Sequence, residues 1–407
     1  MRNTDFAIAG GGIIGLSAAL ALAQLGCSVT VIERTPFRDG GATRDSGRVF
    51  VLTQSTVSLL DRMGVWRTVG PLTYPLRDIV LSNHVPADRC AAHPLTFGDH
   101  KGQRTPLAFI IAERHLKQAL VDHARQSGRI EILGGRTITA QQAGQQRILL
   151  DLSTGEQVAA ALLIGCEGRG SATAARAGVK IHQRDSGQTA FVQTLRHDQE
   201  NAFRAHQYLL PMGPLTILPV GPHRSSVTWT LPHAEAEALK TASDACFARA
   251  LKGTMGANLG PFHLEGGRVS FPLTSAIAER FIGARLALLG DAAHVFHPMT
   301  GQGLNYGFRD IETLRSLVAT ARQAGGDVGA PALLARYQLR RRPDARMMRL
   351  VTDNVISFFA GDNVLLASVR HLGLRTVGAM PPIRSFLIRR ANGLREPLQI
   401  PHENVRP

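Results

Sequence analysis

Within its first fifteen residues the chain carries Gly10-Gly11-Gly12-Ile13-Ile14-Gly15, a G-x-G-x-x-G pattern set between an apolar run and an Ala/Leu-rich stretch. In such a pattern the first glycine permits a tight turn and the second lets backbone approach a pyrophosphate. The third allows helix and strand to pack closely. Residues 5–10 (DFAIAG) read as a buried strand, residues 13–25 as a helix, and residues 28–33 (SVTVIE) as a second strand. The helix start at Ile13 and Ile14 offers free N–H groups and a partial positive charge to phosphates. Glu33 closes the second strand, with Arg34 beside it, about 20 residues downstream, where an acid can hold a ribose hydroxyl. The pattern therefore predicts a βαβ unit that binds a dinucleotide, and by itself it fits NAD and FAD alike.

The segment from Leu286 to Asn305 (LALLGDAAHVFHPMTGQGLN) separates the two. Its first four residues read as a strand that delivers Asp291 at its carboxyl end, where ligands of open α/β sheets bind. A carboxylate there can accept hydrogen bonds from a polyol such as a ribityl chain. Pro298 marks a turn, and Gly301, Gln302, Gly303, Leu304 and Asn305 read as a helix start. Its N–H groups would stabilise negative charge on a reduced flavin, so FAD is the expected cofactor. His294 and His297 stand three residues apart without further ligands nearby, so packing beside the flavin is favoured over a proton-transfer role and over a metal site.

Elsewhere the pattern alternates. Residues 49–64 and 110–128 read as helices, residues 130–152 as short strands, and residues 162–166 as a buried strand ending in Glu167-Gly168. Residues 79–102 read as β structure with turns, and alternation over residues 188–232 predicts antiparallel sheet. Helices are expected from Gly303 onward. The cofactor domain is thus discontinuous: parts at 1–75, 106–182 and 276–330, a substrate-domain segment at 76–105, a β-rich substrate domain at 183–275, and a helical region at 331–407.

Composition narrows the function class. The formal net charge is +15, and arginines crowd the last quarter, among them Arg336, Arg340, Arg341, Arg342, Arg346 and Arg349. They are mixed with Leu, Val, Ile and Phe outside any nucleic-acid module, so solvated helix faces, ion pairs or a membrane surface are expected partners rather than nucleic acid. No run of 18 apolar residues predicts a membrane span. Cys27, Cys90, Cys166 and Cys246 lack paired or metal-ligand spacing, which predicts no disulfide framework and no metal.

With these motifs in place, AHVFHPMTGQGLNYGFRDIETL resembles the ubiquinone-biosynthesis hydroxylases among the FAD-dependent aromatic monooxygenases. The likeness extends to Arg48-Val49, to Glu113-Arg114, to Phe271-Pro272-Leu273 and to Tyr337-Gln338-Leu339-Arg340-Arg341-Arg342. It implies an α/β fold: an FAD-binding Rossmann-like (GR2-type) domain with an inserted β-sheet substrate domain and C-terminal helices. By the same resemblance Gly10, Gly12, Gly15 and Glu33 hold the ADP half of FAD. Arg48, Glu113 and Arg114 contact its middle, Asp291 the ribityl and pyrophosphate region, and Pro298 with Gly301–Asn305 the isoalloxazine ring. The implied reaction is hydroxylation of a polyprenylated phenol by O₂ through a C4a-hydroperoxyflavin, with NAD(P)H as electron donor and no catalytic side chain. A small soluble phenol, or a non-catalytic role within a quinone-biosynthesis complex, are the alternatives. The expected location is cytoplasmic, peripheral on the inner face of the membrane. Two positions depart from the family pattern around Gly168. Glu167 stands where Asp is usual, and Ala174 where Arg is usual, leaving Arg169 or Arg176 to compensate.

Overall fold

The computed structural model of the chain describes residues 1–37, 47–83, 95–98, 106–210, 212–255, 259–298 and 301–359. Arg2–Ala9 forms the centre of a parallel sheet, with Val29–Glu33 on one side and Gln157–Gly165 on the other. Leu286–Leu288 and Ile130–Gly134 extend that sheet outward. The helix Ile13–Ala23 lies over it and is buried on nearly every side, which explains why its sequence is apolar all round. Gly307 lets the helix Gly303–Gln323 approach closely, since a Cβ there would come within 2.5 Å of Ile14 Cδ1.

A second sheet, mostly antiparallel, runs in the order His294–Val295, Phe262–Ala278, Ile181–His197, Arg224–Pro232, Leu215–Gly221, Arg204–Leu209, Asp78–Asn83, Leu95–Phe97. Strand alternation divides its residues. Leu215, Ile217, Val227, Trp229 and Phe191 face the helices His233–Lys240 and Asp244–Met255 and form a core of their own. The intervening residues face the opposite way. Arg204–Leu209 pairs in parallel with Asp78–Asn83, an exception to the antiparallel sheet expected from alternation alone.

Two predicted helices begin later than their periodicity suggested. Val49–Thr53 is a strand paired with Ala108–Ala112, and only then do the helices Gln54–Arg62 and Glu113–Gln126 start. Val49, Phe50 and Val51, like Ile110 and Ile111, are β-branched or aromatic residues that suit a pleated surface, and cross-strand pairing outweighs the local helical spacing. With Tyr74–Leu76 these strands form a small third sheet. Its residues Leu76, Ala108 and Ile110 pack with Ala205 of the second sheet, joining the two halves of the molecule. Among the described residues no helix is long and apolar enough to cross a membrane. The expected loop at 39–45, Cys90 and the chain beyond residue 359 lie outside the described residues.

Candidate active site

The carboxyl ends of three parallel strands bring Gly10, Cys166–Gly168 and Gly290–Asp291 to one edge of the first sheet, as open α/β sheets do with their ligand sites. Gly10 has φ +102°, and a Cβ on it would lie 2.5 Å from the Cys166 carbonyl oxygen. A Cβ on Gly15 would collide with the Gly10 carbonyl oxygen. Gly12 differs, because a Cβ there meets nothing within 4 Å and its φ of −77° suits any residue. Its lack of a side chain keeps space open rather than permitting a turn. That open space at a helix N-terminus is the shape a pyrophosphate requires, and it fits FAD.

A cavity of about 650 Å³ starts at this turn and continues between the sheets. Its walls include Gly12, Ile13, Ile14, Arg48, Glu113, Gly168, Asp291, Pro298, Gly301, Gln302, Gly303 and Leu304, so these sequence-predicted residues are brought together around one space. Gly10, Gly15, Glu33, Arg34, Arg114 and Asn305 do not line it. Gly10 and Gly15 shape the turn from behind. Glu33 accepts hydrogen bonds from the Gly11 and Thr35 N–H groups at 2.7 and 2.9 Å, and Arg34 is exposed. Arg114 turns to its neighbour His115. Asn305 is fully buried and acts as a buckle. Its Oδ1 accepts from the Thr53 N–H and the Thr53 and Thr56 hydroxyls, while its Nδ2 donates to the Val51 and Gly301 carbonyls. It fastens the Gly301 turn to the Val49–Thr53 strand.

The two departures around Gly168 have distinct local consequences. Glu167 accepts hydrogen bonds from the Ser171 hydroxyl at 2.7 Å and the Thr173 N–H at 2.8 Å, fixing the start of the short helix Ala172–Arg176. Ala174 is fully buried, in a core position where a guanidinium would be stranded away from water. Arg176 is tied to Gln141 and Thr173 and lies 3.9 Å from Glu167. Arg169 instead faces the cavity, with its Nε 4.0 Å from an Asp291 carboxylate oxygen. Of the two candidate arginines, Arg169 is the one at the site.

The residue that sequence reasoning left without a role is Asp310. It sits on the buried face of the Gly303–Gln323 helix and is fully inaccessible. One carboxylate oxygen accepts from the Gly290 N–H at 2.9 Å and meets His294 Nε2 at 2.7 Å. The other accepts from Arg341 Nε at 2.6 Å, and Arg341 also donates to Asp344. Burial alone would raise the Asp310 pKa, but His294 and Arg341 outweigh it and hold the group below the usual carboxylate range. Tyr337 completes the fastening by donating to the Leu288 carbonyl. An acid on an otherwise apolar helix face was the available signal, since a buried charge requires partners.

His294 is thus a structural partner of Asp310. Burial pushes the His297 pKa down to about 4, so its imidazole is neutral at physiological pH. Cys166 reaches the cavity, yet burial drives its thiol pKa far above the usual value, which leaves no thiolate to act as a nucleophile. Among the described residues no cluster of three or more metal-ligating side chains occurs. The charged groups on the cavity wall are Arg48, Glu113, Arg169 and Asp291; Arg169 and Asp291 follow strands of the first sheet, and Arg48 and Glu113 flank the paired strands of the third. On the second-sheet side the polar lining is neutral, consisting of Gln207, Thr216, Ser226, Thr228 and Thr230.

The family model described as FAD binding domain matches residues 3–352. A ubiquinone hydroxylase of Rhodospirillum rubrum is 34% identical over 392 residues, covering 96% of this chain and 90% of that protein. The 3-demethoxyubiquinol 3-hydroxylase of Escherichia coli is 28% identical, covering 97% and 99%. Among solved structures, p-nitrophenol 4-monooxygenase of Pseudomonas putida shares the fold, with a TM-score of 0.79 at 18% identity over 97% of this chain and 100% of that one. The chain belongs to the FAD binding domain family and, related to the ubiquinone hydroxylases over nearly its whole length, is an FAD-dependent aromatic monooxygenase.

Proposed function

We propose that the protein hydroxylates the aromatic ring of a polyprenylated phenol in ubiquinone biosynthesis. The observation that carries this reading is the single cavity that runs from the glycine turn and Asp291 to an apolar seam between the second and third sheets. Gly10, Gly12, Gly15 and Glu33 would hold the ADP half of FAD, with Arg48 and Glu113 near its middle. Asp291 would take the ribityl chain, and Pro298 with Gly301–Leu304 the ring. Bound there, FAD supplies the two-electron redox chemistry and the activation of O₂ that the protein itself lacks.

The chain's own residues orient and exclude. Ile14, Phe296 and Leu304 present apolar surface to the cavity and keep water from it. The neutral second-sheet wall suits an uncharged phenol and offers no side-chain base, in keeping with a reaction that needs none. Arg169, as the cavity-facing cation beside Gly168, would meet the phosphates of the reduced pyridine nucleotide that donates electrons.

A lipid-soluble substrate calls for contact with the bilayer. On the helix Pro331–Phe359, Leu339, Met347, Leu350 and Val351 are exposed and share a face with Arg336, Arg340 and Arg346. Apolar side chains interleaved with arginines suit the boundary of an anionic membrane. Flotation with anionic vesicles tests this, with binding expected at low salt and weakened as salt rises.

The reaction is tested with FAD-loaded protein, NAD(P)H, a prenylated phenol in micelles and ¹⁸O₂. One labelled oxygen should enter each product molecule. NAD(P)H consumption without labelled product would remove the hydroxylase assignment, and turnover of only prenyl-free phenols would remove the polyprenyl substrate.

A further inference from the structure

Strand register arranges the second-sheet wall of the cavity into rows. Gln207 pairs with Thr216, Thr216 with Thr228, and Thr228 with Val192, so three polar side chains stand abreast on three neighbouring strands. Two residues along, Phe97 pairs with Ile79 and Ile79 with Ala205. The register carries that row on to Leu218, which pairs with Ser226. All of these residues line the cavity. Successive rows on one face lie about 7 Å apart. Along Leu215–Gly221 the cavity lining therefore changes from Thr216 to Leu218, from polar to apolar. Val220 and Leu218 pack against the apolar seam of Leu76, Ala108 and Ile110.

The order of the rows relative to the cofactor end also follows from register. Val295, three residues before Pro298, pairs with Ala276. From there Phe262–Ala278 runs back to Phe271, which is opposite Ala190, and then to Val269, opposite Val192 in the polar row. The polar row is thus nearer to Pro298 than the apolar row is.

We propose that the sheet reads its ligand in two bands. Gln207, Thr216 and Thr228 bind the oxygen substituents of the aromatic ring, and Phe97, Ile79 and Leu218 hold the first isoprene units of its side chain. The proposal rests on the polyprenyl-phenol reading and assigns specificity within it. The ring's oxygens are donors or acceptors that cost free energy when buried without partners, and the polar band supplies those partners on the Pro298 side of the apolar band. The prenyl chain gains only by leaving water, which the apolar band provides. Because the bands are separate, the two contributions should be separable.

The test is equilibrium binding to the FAD-loaded protein, followed by flavin fluorescence, for a phenol carrying zero, one, two or three isoprene units. In the unaltered protein the first unit should tighten binding by about tenfold or more. Leu218→Asn and Ile79→Ser should cut that gain to less than about threefold while leaving the prenyl-free Kd within about twofold. Thr228→Val and Gln207→Leu should weaken every ligand alike, by about five- to tenfold, and Thr228→Ser should restore binding. Flavin content and circular dichroism establish that each variant is folded, with Leu218→Ala standing in for an apolar-band variant that is not and Thr228→Ala for a polar-band one. If Leu218→Asn weakens prenylated and prenyl-free phenols equally, or Thr228→Val alters the dependence on chain length, the two-band assignment fails. If the unaltered protein shows no dependence on chain length, the polyprenyl reading itself fails.

Discussion

The two walls of the cavity are built on different principles. On the cofactor side, backbone geometry and buried charge fix each position. Gly10 and Gly15 touch neighbouring backbone so closely that no side chain fits, and Asp310 ties Gly290, His294 and Arg341 together out of reach of water. On the second-sheet side, regular strands present exchangeable side chains whose polarity varies by row. A cofactor that does not change calls for a rigid cradle, whereas a substrate can be selected on an unchanged frame by altering single residues. The contrast predicts that substitutions on the first wall cost structure or cofactor, and those on the second cost selectivity.

The largest effect should come at the glycine turn. Gly15→Ala should abolish accumulation of folded protein, because the added methyl strikes the Gly10 carbonyl. Gly12→Ala should fold with an unchanged melting temperature without FAD, yet bind FAD at least about a hundredfold more weakly, because a methyl would occupy the approach of the pyrophosphate. Equal loss of stability in both variants would show that Gly12 serves the turn and not the ligand.

Next comes Asp310→Ala, which takes one of two carboxylate partners from the buried Arg341, leaving Asp344, and removes the partner of His294; it should cost about 3–5 kcal/mol in urea unfolding. FAD should be lost as well, since Gly290 and Asp291 lose their anchor. A variant with ordinary stability would mean that water reaches Arg341.

His297 gives a smaller, pH-dependent effect. Its folded pKa, about 4, lies below the ordinary histidine value, so its contribution is fully present above about pH 6.5 and declines as pH falls toward 4. Unfolding the unaltered protein at pH 7.5 and pH 5 should reveal this loss, at most ~3 kcal/mol for the whole titration. In His297→Gln the gap between the two pH values should shrink. An unchanged gap would place the titration elsewhere.

Smallest is the separation of Arg169 from Arg176. Arg169→Ala should raise the KM for NAD(P)H several-fold with FAD still bound, whereas Arg176→Ala should lower the melting temperature slightly and leave that KM alone. Stopped-flow flavin reduction distinguishes them, and a larger KM effect at Arg176 would reverse the assignment.

The cofactor side was largely legible in the sequence because phosphate binding demands particular residues at fixed spacing. Gly10-Gly11-Gly12-Ile13-Ile14-Gly15, Glu33 and Gly290-Asp291 stand out without any knowledge of the fold. Helical spacing alone does not reveal Val49–Thr53 or residues 110–112 as strand, because their strand identity comes from pairing across more than fifty residues. The resemblance puts Asn305 beside the ring, whereas its side chain is a buckle between the Gly301 turn and the Val49–Thr53 strand. Arg341 was one arginine among many, and its burial depends on Asp310 arriving from another helix.

By itself, then, the sequence determined the dinucleotide turn and the preference for FAD, since these rest on local chemistry that residue type and spacing encode, while the kinship with aromatic hydroxylases came from its resemblance to that family. Only the tertiary structure decided that Arg169 and not Arg176 faces the cavity, that Asp310 fastens Gly290, and that Gln207, Thr216 and Thr228 stand in one row of the second sheet with Ile79, Phe97 and Leu218 in the next. Each of these depends on which residues from distant strands and helices come into register, and no local pattern carries that information.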